Sequence, residues 1–331
     1  MAIVHELSWS TSRARTFQAC KRRYYFDYYL SWLGWGRGAA PERRRAYLLK
    51  KMTRMPMLAG DIVHRAIVEF FARRDQGLEW TGDEAKVWAI GELRRGYKES
   101  RDGGWKARPA KSVRLAEHHY TEPDIDESTG AAGDYGRRYV ERIEACIDAF
   151  FSSPDLERAR RAEPRDWLAC EDLSTFELFD TKVFAVPDFA YLERDPSDGE
   201  AGTSTSAPDG ATAAGEIVRI LDWKTGRPRP EDQFQLEVYA FYARERWGVD
   251  PERTRAADVY LVDGTIAEVA VDGAVLERAL GRIEASIQEM RAVHFDADHS
   301  TGDIEDFPCV PMEGMARECG RCNYRELCER A

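Results

Sequence analysis

Two carboxylates and an ammonium stand where strand geometry would gather them. Pro187-Asp188 lies in a strand-like run from Lys182 to Leu192, and Asp222-Trp223-Lys224 ends the run that begins at Glu216. Side chains alternate faces along a strand, so Asp222 and Lys224 project together while Trp223 enters the opposite layer. Asp188, Asp222 and Lys224 on one sheet face are mutually costly without a cation and a phosphate to organise them. Carboxylate oxygens suit magnesium or manganese, the Trp223 carbonyl could add a further ligand, and such an ion makes a nucleophile of bound water. A lysine beside it stabilises the attacking hydroxide or the charge growing on the phosphate, so the chemistry these residues allow is phosphodiester hydrolysis.

Thiols form the second pattern. The tail carries Cys319, Cys322 and Cys328 as Cys-x2-Cys-x5-Cys, and Cys20 could supply a fourth thiolate from the opposite end of the chain. Four thiolates satisfy a tetrahedral zinc site, although structural zinc usually draws on two close pairs. Cys309 is a substitute ligand, while Cys146 and Cys170 sit among apolar neighbours as core fillers. Seven cysteines is an odd count, which argues against a full disulfide framework.

The elements that must position these groups follow from periodicity. A helix start is expected at Ser10 or Ser12, in a segment running to Leu30, and helical spacing covers Met57 to Phe71, Asp83 to Tyr97 and Gly133 to Phe151. Strands are expected at 167–171, 175–179 and the two aspartate-bearing runs, then a hairpin from 257–262 and 266–271. Helices are expected over 231–247, stopped at Gly248, and over 274–293. Residues 195–215, rich in Gly, Ser, Thr, Pro and Asp, read as a disordered insertion. On the 231–247 helix, Gln235 and Tyr239 share one face.

Taken together and in this order, the motifs resemble the PD-(D/E)xK nuclease superfamily, particularly its RecB-like exonuclease branch. Gly60-Asp61-Ile62-Val63-His64-Arg65 resembles the helical histidine motif of that branch, which makes His64 a metal ligand and favours manganese over an all-oxygen site. Gln235 to Tyr239 resembles its QxxxY motif, whose members orient the active site and the nucleic-acid strand. Related enzymes place a glutamate one strand before Asp188, where Glu171 and Glu177 compete. One distant cysteine plus three in the tail resembles the iron–sulfur members, AddB-like and CRISPR-associated exonucleases. That implies a four-iron four-sulfur cluster on Cys20, Cys319, Cys322 and Cys328, with zinc as the rival. The resemblance spans both termini and the sheet core, not residues 72–165.

The implied fold is α/β, restriction-endonuclease-like: a mixed central sheet flanked by helices, a helical insertion, and a cysteine region formed by both termini. Boundaries are expected at 1–35, 36–165, 166–272 and 273–331. The implied function is metal-dependent DNA hydrolysis at single strands or ends, in repair or CRISPR adaptation, with DNA as partner and a helicase or adaptation protein beside it. A formal net charge of −11 excludes general nucleic-acid binding over the whole surface but leaves local basic stretches at 43–54 and 94–114. Those stretches read equally as solvated helix faces. No apolar run suits a membrane span and the first residues lack a signal peptide, so a cytoplasmic location is expected. No GxxxxGK[ST] loop is present. The other class left open is a non-catalytic DNA-end-binding or helicase-partner subunit with the same fold. Plainer readings of single residues also stand: His64 as a cap, Gln235 and Tyr239 as packing residues, Asp222 and Lys224 as a strand-end ion pair worth about 0–1 kcal/mol.

Overall fold

A computed structural model describes residues 5–171, 174–193, 216–294 and 303–328. The chain opens on β1 (Ser8–Trp9) and α1 (Thr11–Ala19), whose N-terminus is capped by the Ser10 hydroxyl. The helix start expected in this segment is present, and the backbone then turns extended at Cys20, which caps a second helix, α2 (Lys21–Tyr25), with its sulfur. Next come α3 (Pro41–Lys50), α4 (Met55–Asp75) and α5 (Gly82–Arg101), the last opened by a Thr81–Glu84 capping box. After α5 comes a short α6 (Ala116–His119). Then α7 (Ala131–Ser152) and α8 (Glu157–Arg161) complete the helical region.

Seven more strands follow: β2 (Trp167–Cys170), β3 (Ser174–Leu178), β4 (Thr181–Ala185), β5 (Phe189–Glu193), β6 (Ile217–Lys224), β7 (Thr254–Tyr260) and β8 (Thr265–Ala270). Between β6 and β7 runs α9 (Asp232–Trp247), ended by Gly248 in the left-handed region (φ 64°), where a side chain would be strained. After β8 come α10 (Gly273–Ala292) and α11 (Met315–Glu318). The expected strand from Lys182 to Leu192 is two strands. Pro187 has no N–H to donate, so the ladder stops, and β4 and β5 enter different sheets. The expected insertion over 195–215 lies outside the described residues.

The main sheet runs β2-β5-β6-β7-β8, with β6 and β7 parallel and the other neighbours antiparallel. The smaller sheet is β1-β4-β3. The expected α/β architecture with a mixed central sheet is therefore present. The faces of β6 part as alternation requires: Leu221 and Trp223 pack into a core with α4, α5 and α7, whereas Val218 and Ile220 pack against α1, α9 and α10. On the first face Phe71 of α4 stacks on Phe189 at 4.0 Å between ring centres, and Phe150 meets Trp223 edge-on. Among the described residues no helix is long and apolar enough to cross a membrane.

Because Phe71 is buried in the joint between α4 and β5, Phe71→Ala should cost about 3–5 kcal/mol in urea unfolding. A loss below 1 kcal/mol would mean that α4 is not fastened to the sheet there.

Candidate active site

The carboxyl end of β6 is where three layers meet. α4 brings His64 across the sheet edge, and its close approach is possible because Gly60 has no side chain: a Cβ there would sit 2.9 Å from Thr225 Oγ1. His64 Nε2 lies 2.9 Å from the Trp223 carbonyl, which can only accept, so this nitrogen carries a hydrogen. Nδ1 lies 3.2 Å from Glu171 Oε1 and 3.5 Å from Asp188 Oδ1. Burial would lower the imidazole pKa, but the two carboxylates outweigh it and hold the ring protonated well above its usual range.

Asp188, at the entry to β5, is fixed by the Trp223 N–H donating to Oδ2 at 2.7 Å. Glu171 follows β2 in a left-handed conformation (φ 50°), uncommon for a residue with a side chain. Its N–H donates to the Asp188 carbonyl at 3.1 Å, placing the two acids side by side. Glu177 does not reach this place: it pairs with Lys182 across β3 and β4 in the other sheet. Among the described residues, His64, Glu171 and Asp188 form the group whose possible metal-binding atoms all lie within 4.8 Å of one another. One nitrogen and two carboxylate oxygens, with the Trp223 carbonyl adjacent, are a donor set that fits a divalent cation.

Asp222 is outside that group. Gln235 Nε2 donates to its Oδ1 at 3.0 Å and Lys224 Nζ lies 2.5 Å from its Oδ2, so both oxygens are engaged. Of the trio expected from sequence, His64 and Asp188 belong to this group together with Glu171, and Asp222 stands beside it. Asp222 is nevertheless close enough to feel Asp188: burial first, and that like charge second, push its carboxyl pKa up to about 7. Lys224, whose burial is outweighed by Asp222 and Asp258, keeps its proton above the usual lysine range.

Gln235 and Tyr239 share a face of α9 as expected and act as a chain. The Lys224 ammonium donates to Gln235 Oε1, Gln235 Nε2 also contacts the Tyr239 hydroxyl at 2.6 Å, and that hydroxyl donates to the Val186 carbonyl at 2.8 Å. They tie the β6 charges to the turn that carries Pro187-Asp188. Tyr239 is buried, so its role here is to hold the site.

One acid escaped sequence reasoning. Asp258 of β7 lies directly beside Asp222 in the parallel register and is 2% exposed. Its Oδ1 is 3.4 Å from Lys224 Nζ, so the lysine stands between two buried carboxylates. An acid inside an otherwise apolar strand was the available signal.

The thiols gather elsewhere. Cys20, Cys309, Cys319, Cys322 and Cys328 line one cavity, closed by Phe26 and Val310, and Cys309 Sγ is 3.9 Å from Cys328 Sγ. Five soft donors on one cavity fit a thiolate-ligated metal group. Burial pushes the Cys322 thiol up to about 11, a cost that coordination would remove. Asn323 donates to the Leu49 and Met52 carbonyls and Tyr324 donates to Asp27, which seats the tail on α3.

A family model described as the PD-(D/E)XK nuclease superfamily matches residues 206–329. That segment holds Asp222, Lys224, Gln235, Tyr239 and the three tail cysteines, but not His64, Glu171, Asp188 or Cys20. The match and the mixed sheet are consistent with a restriction-endonuclease-like fold and suggest metal-dependent nuclease activity. No curated protein matches the chain.

The raised Asp222 pKa has a sign that can be tested. An acid whose folded pKa lies above its unfolded value destabilises the protein once pH exceeds the folded pKa, and is neutral below the unfolded one. Asp222→Asn should therefore stabilise the divalent-ion-free protein above about pH 7, with the gain fading as pH falls towards 3.8. The gain should be on the order of a few kcal/mol at most, measured by thermal unfolding across pH. A gain that does not vary with pH would contradict it.

Proposed function

We propose that this protein is a divalent-metal-dependent deoxyribonuclease that hydrolyses single strands or strand ends, acting as an exonuclease. What carries the reading is the convergence of His64, Glu171 and Asp188 on one point, with the Lys224 ammonium held beside Asp222. Magnesium or manganese bound there would supply a polarised phosphate and an acidified water. His64, Glu171 and Asp188 would hold the ion, joined by Asp222 and the Trp223 carbonyl once their present partners give way. Lys224 keeps three hydrogens on Nζ and is steered by Asp222, Asp258 and Gln235, so it can donate to the attacking or non-bridging oxygen. Gln235 and Tyr239 keep that donor in register with Asp188.

We assign the thiol cavity to a four-iron four-sulfur cluster on Cys20, Cys319, Cys322 and Cys328, with Cys309 as a neighbouring fifth thiol. Zinc bonds of about 2.3 Å would draw sulfurs to within about 4 Å of one another. What supports the larger group is that five thiols, from both ends of the chain, line the one cavity. The cluster would staple α2 to the tail. Work at DNA ends in recombination, repair or CRISPR adaptation suits such a nuclease, with strand separation supplied by a helicase on another chain.

Lys224→Ala and Glu171→Gln should each lower metal-dependent digestion of an end-labelled single strand by about 10²–10³-fold. Digestion unaffected by either change would mean another protein in the preparation is responsible, and would favour a DNA-end-binding scaffold. Anaerobic protein should carry about four irons per chain and a broad visible absorption, both lost in Cys319→Ser. Stoichiometric zinc without iron would overturn the cluster.

A further inference from the structure

A second feature lies away from the charges at β6. α5 and α7 diverge over a cleft of about 770 Å³, a size that suits a few nucleotides rather than the rod of a duplex. Arg94, Lys98 and Arg101 fall at i, i+4 and i+7 of α5 and line one wall, with Tyr97 among them. At 1.5 Å per residue they span roughly 10 Å, about three phosphates of a stacked strand. The other wall is the start of α7, where Gly133 and Gly136 leave the backbone bare: a Cβ on either would meet nothing within 4 Å.

The charges of the cleft are not all spent. Arg101 is shared between Asp102 and Glu127, and Arg137 pairs with Asp134. Arg94 and Lys98 are exposed and have no ion pair among the described residues. Two cations without an ion pair on one helix face, Lys98 with Asp102 as an electrostatic neighbour, stand out in a chain of net charge −11. Tyr97 packs its ring edgewise on His118 and stays half-exposed towards the cleft, as a base-stacking platform would.

We propose that this cleft is a single-strand binding track, in which Arg94 and Lys98 hold phosphates and Tyr97 receives a base. The proposal rests on the nuclease reading and deepens it. Met55, at the start of α4, forms part of the cleft floor, and His64 lies nine residues further along the same helix, about 13 Å. Nine residues is two and a half turns, so His64 projects from the face of α4 opposite Met55, and a strand seated in the cleft would pass round α4 to reach the metal-binding group. Glu127 would yield Arg101 to the incoming phosphate.

The test is fluorescence anisotropy of a labelled strand of about 12 nucleotides, without divalent ions so that nothing is cleaved. Arg94→Gln with Lys98→Gln should weaken binding about tenfold and reduce the logarithmic salt slope by about 1.4, two contacts at about 0.7 each. Gly133→Glu, sterically free and a better helix former, should fold normally and also weaken binding. Arg246→Gln with Arg278→Gln, which removes the same charge elsewhere, should bind as the unmodified protein does. An unchanged slope in the first variant, or equal losses in both double variants, would overturn the track. Metal-dependent digestion with unchanged binding by Arg94→Gln/Lys98→Gln would sink the track alone. Binding that behaves as expected in a protein that never digests DNA would sink the nuclease reading alone.

Discussion

The parallel pairing of β6 with β7 is the constraint on which the site depends. It sets Asp222 directly beside Asp258, both nearly out of solvent, and leaves Lys224 as the ammonium between them. Two buried carboxylates are not stable neighbours, and the raised pKa of each expresses the cost of burial. The surroundings answer with directed hydrogen bonds rather than water. Gln235 bridges Asp222 and Lys224, and Tyr239 fastens Gln235 to the backbone of the preceding turn. Such a network is costly to half-satisfy, so it holds its members in one geometry.

On the other side of the same strand end, His64 plays the reciprocal part. Its ring fills the space between two carboxylates and a carbonyl, and those acids raise its affinity for a proton at the point where they converge. A divalent cation would take the place of the hydrogen on Nδ1, which already faces both acids, and that links metal affinity to pH. The arrangement makes α4 a moving part with little room to move. Its far end is fixed by Phe71 on Phe189. At its near end Glu117 accepts the Met55 N–H, and Arg54 grips both oxygens of Glu122.

How much of this could be read from the chain depends on the range of the interaction. The common face of Asp222 and Lys224, and that of Gln235 and Tyr239, need only strand and helix periods, and both pairs are where those periods put them. The strand break at Val186 to Asp188 is also local, since Pro187 cannot donate to a ladder, but the apolar run on either side concealed it. Asp258 needed the register of a parallel neighbour, which no local pattern encodes. Choosing Glu171 over Glu177 needed the left-handed turn after β2, where an ordinary glutamate takes a conformation that its residue type does not signal. Cys309 reads as a substitute ligand outside the compact spacing of the tail, and its place 3.9 Å from Cys328 needed the tertiary fold.

The thiol cavity and the acid site are distant in sequence yet share one mechanical element. Arg325, three residues before Cys328, donates to the same Glu122 that Arg54 holds, and Arg54 also reaches the Arg321 carbonyl. Arg54 is the residue from which α4 begins. A helix of that length transmits displacement along its axis better than it bends, because every backbone hydrogen bond opposes curvature. The tail is thus hydrogen-bonded to the start of the helix that carries His64 to Glu171 and Asp188. Arg54 and Arg325 together face Glu122, and Arg54 also lies 3.9 Å from the buried Glu117, so the tail supplies one of the two positive charges that offset these acids at the start of α4.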